Sequence, residues 1–360
     1  MALRFREVPA ALRAPITAVR MQTQARLVDV GEPAKILVVC LDNLGDLVFT
    51  SSLVPPIARR FPRAKITLWC KEYASGIAPL IRGVSEIVAC DPFWDRAPGR
   101  PKGRVSPFVS AVLRLRREHF DLALVVSPQW RAAAAVRATG TPVRVGRKRR
   151  KNGPWLTHIL PEQRVDVPVL ESHAALLDAI GVEHAQLVYE LDAAPLAAER
   201  ARIAHALGLA SWIGLHPFAS DRRRCVAIEE WLAVARALEA RGENIVWIGS
   251  PRELAELRAL KPASDAWRYA DQVTSGTLRE MAALLSLPKV FVGHDSGPMH
   301  VANAFGVPVV GIFAPGQPQR TMPQGTGPSR VLFEPSPNDI DARMMLAEID
   351  RLPHGQREQA

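Results

Sequence analysis

The chain has 360 residues, 48% of them hydrophobic and 23% charged, a balance that excludes extensive disorder and points to a globular fold of two domains. Its formal net charge is +10, so its partners are expected to be anionic: nucleic acid, an acidic membrane surface or a phosphorylated small molecule. No apolar run reaches the roughly 18 residues of a membrane-spanning helix, and Cys40, Cys70, Cys90 and Cys225 form no CxxC pair, which argues against a zinc site or a redox motif.

In chain order, residues 1–34 read as a basic extension. Over the first thirty residues Arg4, Arg6, Arg13, Arg20 and Arg26 stand against only Glu7 and Asp29, and Pro9 and Pro15 interrupt any long helix. The segment lacks the apolar centre of a secretory signal; contact with a lipid surface is the alternative to a free tail. Short apolar runs then alternate with segments of helical period, the pattern of parallel βα units. Strands are predicted at 35–41, 65–70, 86–90 and 121–127, with a shorter one near Val143 to Gly146. Cys40 and Cys70 fall in these apolar strands as buried, reduced thiols, in keeping with a reducing cytoplasm. Helices are predicted at 53–61, 108–120 and 171–182, and the last closes a first domain over 35–182.

Residues 183–195 read as a crossover linker, after which the pattern restarts. Strands at 212–216, 244–249, 289–295 and 308–313, with helices at 228–242 and 278–287, predict a second doubly wound domain over 196–335. A final amphipathic helix at 339–352 lies in the terminal segment 336–360. Two such α/β domains facing each other direct the carboxyl ends of their strands into one crevice, where ligands of open parallel sheets bind.

Three strand-to-helix turns carry the candidate chemistry. In LDNLGDLVFTSS (41–52), Gly45 allows a tight turn, and Asp46 at the start of the next helix serves either as its cap or as a group at the crevice mouth. The turn is no GxGxxG fingerprint, and no GxxxxGKT loop occurs, which lowers the case for a dehydrogenase or an ATPase. In HPFASDRRR (216–224), Ala219 and Ser220 leave amides accessible, and Arg222, Arg223 and Arg224 suit a diphosphate unless the turn is merely solvated. In GHDSGPMH (293–300), Asp295 or Ser296 can cap a helix with Pro298 in its first turn, and the free amides of such a start bind phosphate. Asp295 and His300 border this third turn, or else only cap and pack.

These turns resemble glycosyltransferase family 9, the bacterial heptosyltransferases of lipopolysaccharide core assembly. The resemblance runs from Lys35 to Phe333 and rests on LDNLGDLVFTSSLVPPIARRFP (41–62), GSPRE (249–253) and DSGPMHVANAFGVP (295–308). It implies the GT-B architecture of two facing Rossmann-like domains and inverting, metal-independent transfer of a heptose from an ADP-sugar co-substrate, with no cofactor and no metal. It implies Asp46 as catalytic base; a helix N-terminus would depress its pKa, keeping it ionised but weakly basic. The donor site it implies comprises His216, Ala219, Ser220, Arg223, Arg224, Gly249, Glu253, Asp295, Ser296, Gly297, Pro298, Met299 and His300. Within it Glu253 meets the nucleoside, the amides near Ser296, Gly297 and Met299 meet the diphosphate, and a cation of the 222–224 run meets the charge of the leaving group.

On the acceptor side, Asn43 and Gly45 join Arg147, Lys148 and Arg149 of the run RVGRKRRKN (144–152), either as a surface for a lipid-linked anionic oligosaccharide or as a mobile solvated loop. That run has no interleaved aromatics, which disfavours nucleic acid. His173 and the other scattered histidines read as packing or surface residues. The chain departs from the family at Phe218, Arg223, Cys225 and Val226, which stand where the family places glycine, lysine, tryptophan and proline. Three readings follow: a heptosyltransferase at the cytoplasmic face of the inner membrane, a glycosyltransferase with another nucleotide-sugar donor, or a non-catalytic glycan- or nucleotide-binding paralogue.

Overall fold

The structure, a computed structural model, describes residues 28–96, 99–162, 164–260, 264 and 267–352, so most of the basic extension lies outside the described residues. β1 (Lys35–Cys40) leads into α1 (Leu44–Thr50) and α2 (Val54–Arg60), followed by β2 (Lys65–Cys70) and β3 (Glu86–Ala89). Next come α3 (Val105–Arg117), β4 (Leu122–Val125), α4 (Trp130–Ala138), β5 (Val143–Arg147), β6 (His158–Leu160) and α5 (Val169–Ala179). The second half opens with α6 (Ala197–Leu207), β7 (Ile213–His216), α7 (Ile228–Glu239), β8 (Ile245–Trp247), α8 (Pro251–Ala259) and β9 (Trp267–Tyr269). It closes with α9 (Leu278–Leu285), β10 (Val290–His294), α10 (Gly297–Ala304), β11 (Val309–Phe313), α11 (Pro318–Thr321), β12 (Ser329–Phe333) and α12 (Ala342–Asp350).

The strand runs expected from the sequence all appear; β2 matches its range, β5 runs one residue longer, and the others are shorter by a residue or two at their ends. The additional strands are β6, β9 and β12, all at or beside sheet edges, where short or partly exposed segments leave no apolar run to read. Local chemistry sets several helix boundaries. Ser250 accepts from the Glu253 amide to start α8, Thr277 does the same for α9, Asp341 caps α12, and Gly208 ends α6 at φ 64.

Each half is a six-stranded sheet, ordered β3-β2-β1-β4-β5-β6 and β12-β11-β10-β7-β8-β9, with every pairing parallel. Both orders reverse direction between the first and fourth strands, at β1/β4 and β7/β10, and a crevice opens there at the carboxyl ends. Helices cover both faces of the first sheet: Ile36, Val38 and Cys40 pack into one apolar cluster, Leu37, Val39 and Leu41 into another. The first cluster continues through Phe49 and Tyr189 to Met299 and Trp247 of the second half, so the halves share apolar packing.

The linker is a strap. Asp192 and Glu190 donate amides to Leu80 O and Ser51 Oγ of the first half, at 2.7 and 3.2 Å. Leu191 and Tyr189 donate theirs to Ala304 O and Gln324 O of the second, at 3.1 and 3.3 Å. The Tyr189 ring is fully buried, and its hydroxyl lies 3.0 Å from His300 Nδ1 and 3.2 Å from Asn303 Oδ1.

Candidate active site

Strand register assembles the first crevice. Cys40 lies opposite Cys70 and Val39 opposite Val125, so Asp42, Lys71 and Ser127 emerge together at the sheet's edge. Ser127 Oγ accepts the Leu41 amide at 2.7 Å, and the fully buried Lys71 ammonium donates to Asp95 at 2.8 Å and to Asn43 Oδ1 at 3.4 Å. Asp46 sits in the first turn of α1 and accepts the Asn43 amide at 3.1 Å, so it does cap the helix. Its pKa is nevertheless not depressed. Burial, with the charge of Asp42 as the second cause, pushes it up to about 6, outweighing the Asn43 amide, Arg320 and Lys71. The expected depression at a helix N-terminus is overturned because desolvation of this carboxylate costs more than one turn of peptide dipoles returns. Asp42 is also raised by burial, against the opposing pull of Ser127 and Lys71.

The basic run is an ordered turn rather than a mobile loop. Asn152, 2% exposed, accepts the Arg149 amide and donates to Arg147 O at 2.8 and 2.7 Å, while Arg147 donates to Pro161 O at 2.9 Å. Arg147, Lys148 and Arg149 therefore line one cavity with Asp42, Asp46, Ser127, His173 and Arg320. His173 thus faces the site instead of only packing. Ser52 Oγ, which donates to Phe49 O, accepts from its Nδ1 at 2.9 Å, leaving Nε2 as the unprotonated nitrogen. Burial pushes this imidazole down to about 4, so it is neutral. A groove lined by Trp130, Arg131 and Arg150 continues from the cavity, the two sharing Pro128 and Arg149.

In the second half His216, Gly249, Asp295 and Ser296 stand at the ends of β7, β8 and β10, with Ala219 half-buried and Ser220 exposed beyond them. The His216 Nδ1 donates to Ile248 O at 2.9 Å, and burial lowers this imidazole into its neutral form. Neither Asp295 nor Ser296 caps α10 as expected. Ser296 Oγ turns back to His294 O at 3.1 Å, and Asp295 is held by Arg224 at 2.5 Å and Thr321 at 3.3 Å. The first-turn amides of α10, including Gly297 and Met299, are thereby left without a side-chain cap. Burial alone would raise Asp295, but His300, 3.6 Å away, and Arg224 outweigh it and hold the carboxyl below its usual range.

The three arginines separate. Arg222 pairs with Glu256 and Arg223 with Asp221, both well exposed; only Arg224 turns into the crevice. Arg223, at the family's lysine position, is held by Asp221 two residues before it, which offers a local bidentate partner, and not by α10. Glu253 Oε2 accepts from the Ser250 amide and hydroxyl, both at 2.8 Å. Phe218 covers Gly249, where a Cβ would meet its ring at 2.8 Å. The Met299 side chain is core, packed on Gly311, so only its backbone can face a ligand.

The two crevices meet. A Cβ on Gly297 would strike the Leu44 side chain at 2.9 Å, and the His300 ring packs edge-on to Phe49 at 4.6 Å, so α1 and α10 touch at their first turns. The sequence model of glycosyltransferase family 9 (heptosyltransferase) matches residues 109–337, about two thirds of the chain. The chain belongs to glycosyltransferase family 9. Curated relatives of this glycosyltransferase include lipopolysaccharide heptosyltransferase 3 of Escherichia coli, 25% identical over 278 residues, covering 75% of this chain and 80% of the relative. Another is the lipopolysaccharide core heptosyltransferase OpsX of Haemophilus influenzae, 24% identical over 301 residues, covering 81% and 82%.

Solved structures show that the family 9 chain has the GT-B fold. A family 9 glycosyl transferase from Veillonella parvula superposes with a TM-score of 0.76 at 18% identity, covering 88% of this chain and 96% of that one. The Escherichia coli ADP-heptose lps heptosyltransferase II superposes at 0.73 and 21% identity, covering 88% and 97%.

Sequence reasoning passed over Asp42, Lys71, Ser127, His294 and Arg320. Lys71 had a readable signal, a lysine directly after the apolar strand KITLWC. His294 had a weaker one within GHDSG: its Nε2 accepts the Val226 amide at 3.0 Å, and burial, aided by His216 and Arg224, pushes it down to about 3. Arg320 had none, because its relation to Asp46 exists only across the two halves.

Proposed function

We propose that this glycosyltransferase moves a heptose, with inversion, from an ADP-activated donor to a hydroxyl of a lipid-linked anionic acceptor of lipopolysaccharide type. The observation that carries the reading is the half-buried Asp46 carboxyl, pushed up to about 6, on a helix start that touches the uncapped start of α10. A base of that pKa is ionised at neutral pH yet basic enough to take a proton as the nucleophile attacks. The acceptor oxygen bonds to the anomeric carbon, the bond from that carbon to the diphosphate oxygen breaks, and Asp46 receives the hydroxyl proton. Charge on the departing diphosphate meets the amides of Gly297 and Met299 and the Arg224 guanidinium, so no step requires a metal ion.

The acceptor lies along Arg147, Lys148 and Arg149 toward Trp130, where its negative groups find fixed cations. The relatives named for lipopolysaccharide core transfer support this choice of acceptor. Among the described residues no helix is long and apolar enough to cross a membrane, so the reading has the chain meet its lipid-linked acceptor by peripheral contact at the inner face. Glu253 keeps its Oε1 for the nucleoside while Oε2 serves the cap. A second reading, another nucleotide sugar, is favoured by Phe218, whose ring fills the space above Gly249.

Calorimetric titration with ADP-heptose, beside UDP- and GDP-sugar controls in chelator-treated buffer, tests the donor. Selective adenine-nucleotide binding without metal supports the first reading, and tighter binding of a control selects the second. Turnover with a core-oligosaccharide acceptor then tests the reaction itself.

A further inference from the structure

Arg320 is contributed by the second half yet lines the cavity whose walls are Asp42, Asp46, Ser127, Arg147 and His173 of the first. It is half-buried, and among the described residues its guanidinium has no hydrogen-bond or ion-pair partner. The other cation near Asp46, Lys71, is already engaged by Asp95 and Asn43. Two carboxylates therefore share the cavity with a half-buried guanidinium that comes from across the cleft, beside Arg147, Lys148 and Arg149 of the first half. A four-residue helix such as α11 does not hold itself in place. It is tied to the donor side: Thr321 Oγ1 donates to Asp295 at 3.3 Å, and Arg224 Nε donates to Pro315 O at 3.2 Å. The same Arg224 is bound to Asp295.

We propose that Arg320 is a positioning residue that carries the charge of the donor half to the Asp42–Asp46 pair and so keeps Asp46 ionised in the assembled cleft. The proposal rests on reading Asp46 as the base. It also places the base under the control of the Arg224–Asp295 pair, since the α11 segment bearing Arg320 is fastened there. The groups facing Asp46 are Asp42 after β1, Lys71 and Tyr73 after β2, Cys40 of β1, Arg320 of α11, and His173, Arg147, Lys148 and Arg149 across the cavity. Asp42 works against ionisation of Asp46, whereas Arg320 and Lys71 favour it.

The test is the pH profile of kcat/KM for acceptor at saturating donor, for wild type, R320Q and R320K. R320Q is expected to move the acid limb up by about one pH unit, a loss of about five-fold near pH 6 and almost none at pH 8.5. R320K is expected to restore most of that limb. Equal loss at every pH, or a changed KM with an unmoved limb, overturns the proposal. A second measurement needs no turnover: carboxyl-carbon NMR titration of Asp46 in the substrate-free chain, assigned through D46N. An upward shift in R320Q supports the proposal, and an unmoved titration overturns it. If D46N keeps full turnover, the base assignment falls, and the NMR shift alone then decides whether Arg320 sets this charge.

Discussion

The two crevices are built on the same strand order but solve opposite electrostatic tasks. The first gathers acids, Asp42, Asp46 and Asp95, around one buried lysine, and burial, with the charge of Asp42 second, lifts the Asp46 carboxyl toward neutrality. The second gathers His216 and His294, both held neutral by burial, with one inward arginine and an uncapped helix start. On one fold, then, the first crevice carries a raised carboxyl and the second an uncapped helix start beside an arginine, and the difference lies in the residues that follow the strand ends of each sheet.

The largest expected effect breaks the acidic side. D46A should lower kcat by about 10³-fold or more while donor affinity changes less than about threefold, read by turnover and calorimetry. The sign for stability runs the other way. The folded pKa of Asp46 is raised above its unfolded value, so the fold carries a penalty above about pH 6 that vanishes as the pH falls below about 4. D46N should therefore raise stability at pH 7.5 by at most about 3 kcal/mol and give no gain near pH 4, checked by denaturant melts at both.

Next in size, K71M removes the cation that the buried acids share. It should cost about 3 kcal/mol in urea unfolding at pH 7.5 and less at pH 5, where the acids can protonate. A loss independent of pH would mean that Lys71 matters only as packing.

The basic side breaks more gently. R224A should weaken donor binding by about ten-fold, since one charge-assisted contact is lost while the α10 amides remain. R223A, on an exposed local pair, should leave stability and donor affinity hardly changed. Equal effects of the two substitutions would return the donor cation to the family's lysine position and undo the separation of the three arginines.

Much of this was legible from residue order alone. Continuous apolar runs such as KILVVC and KITLWC have to be buried on both faces, which dictates parallel strands under helices. The turns after those strands announced where Asp46, His216 and Asp295 would stand. What remained hidden depends on long-range register and on burial. The pairing of Cys40 with Cys70 brings Lys71 to Asn43, a proximity that no local pattern encodes.

By itself, then, the sequence determined the doubly wound architecture, the three site turns and the family. Only the tertiary structure decided the pKa of Asp46, the choice of Arg224 over Arg223, and the approach of Arg320 to the opposite half. The physical reason is range: strand and helix signals act over a few residues, whereas desolvation and charge depend on every atom packed around a group, whichever half supplies it.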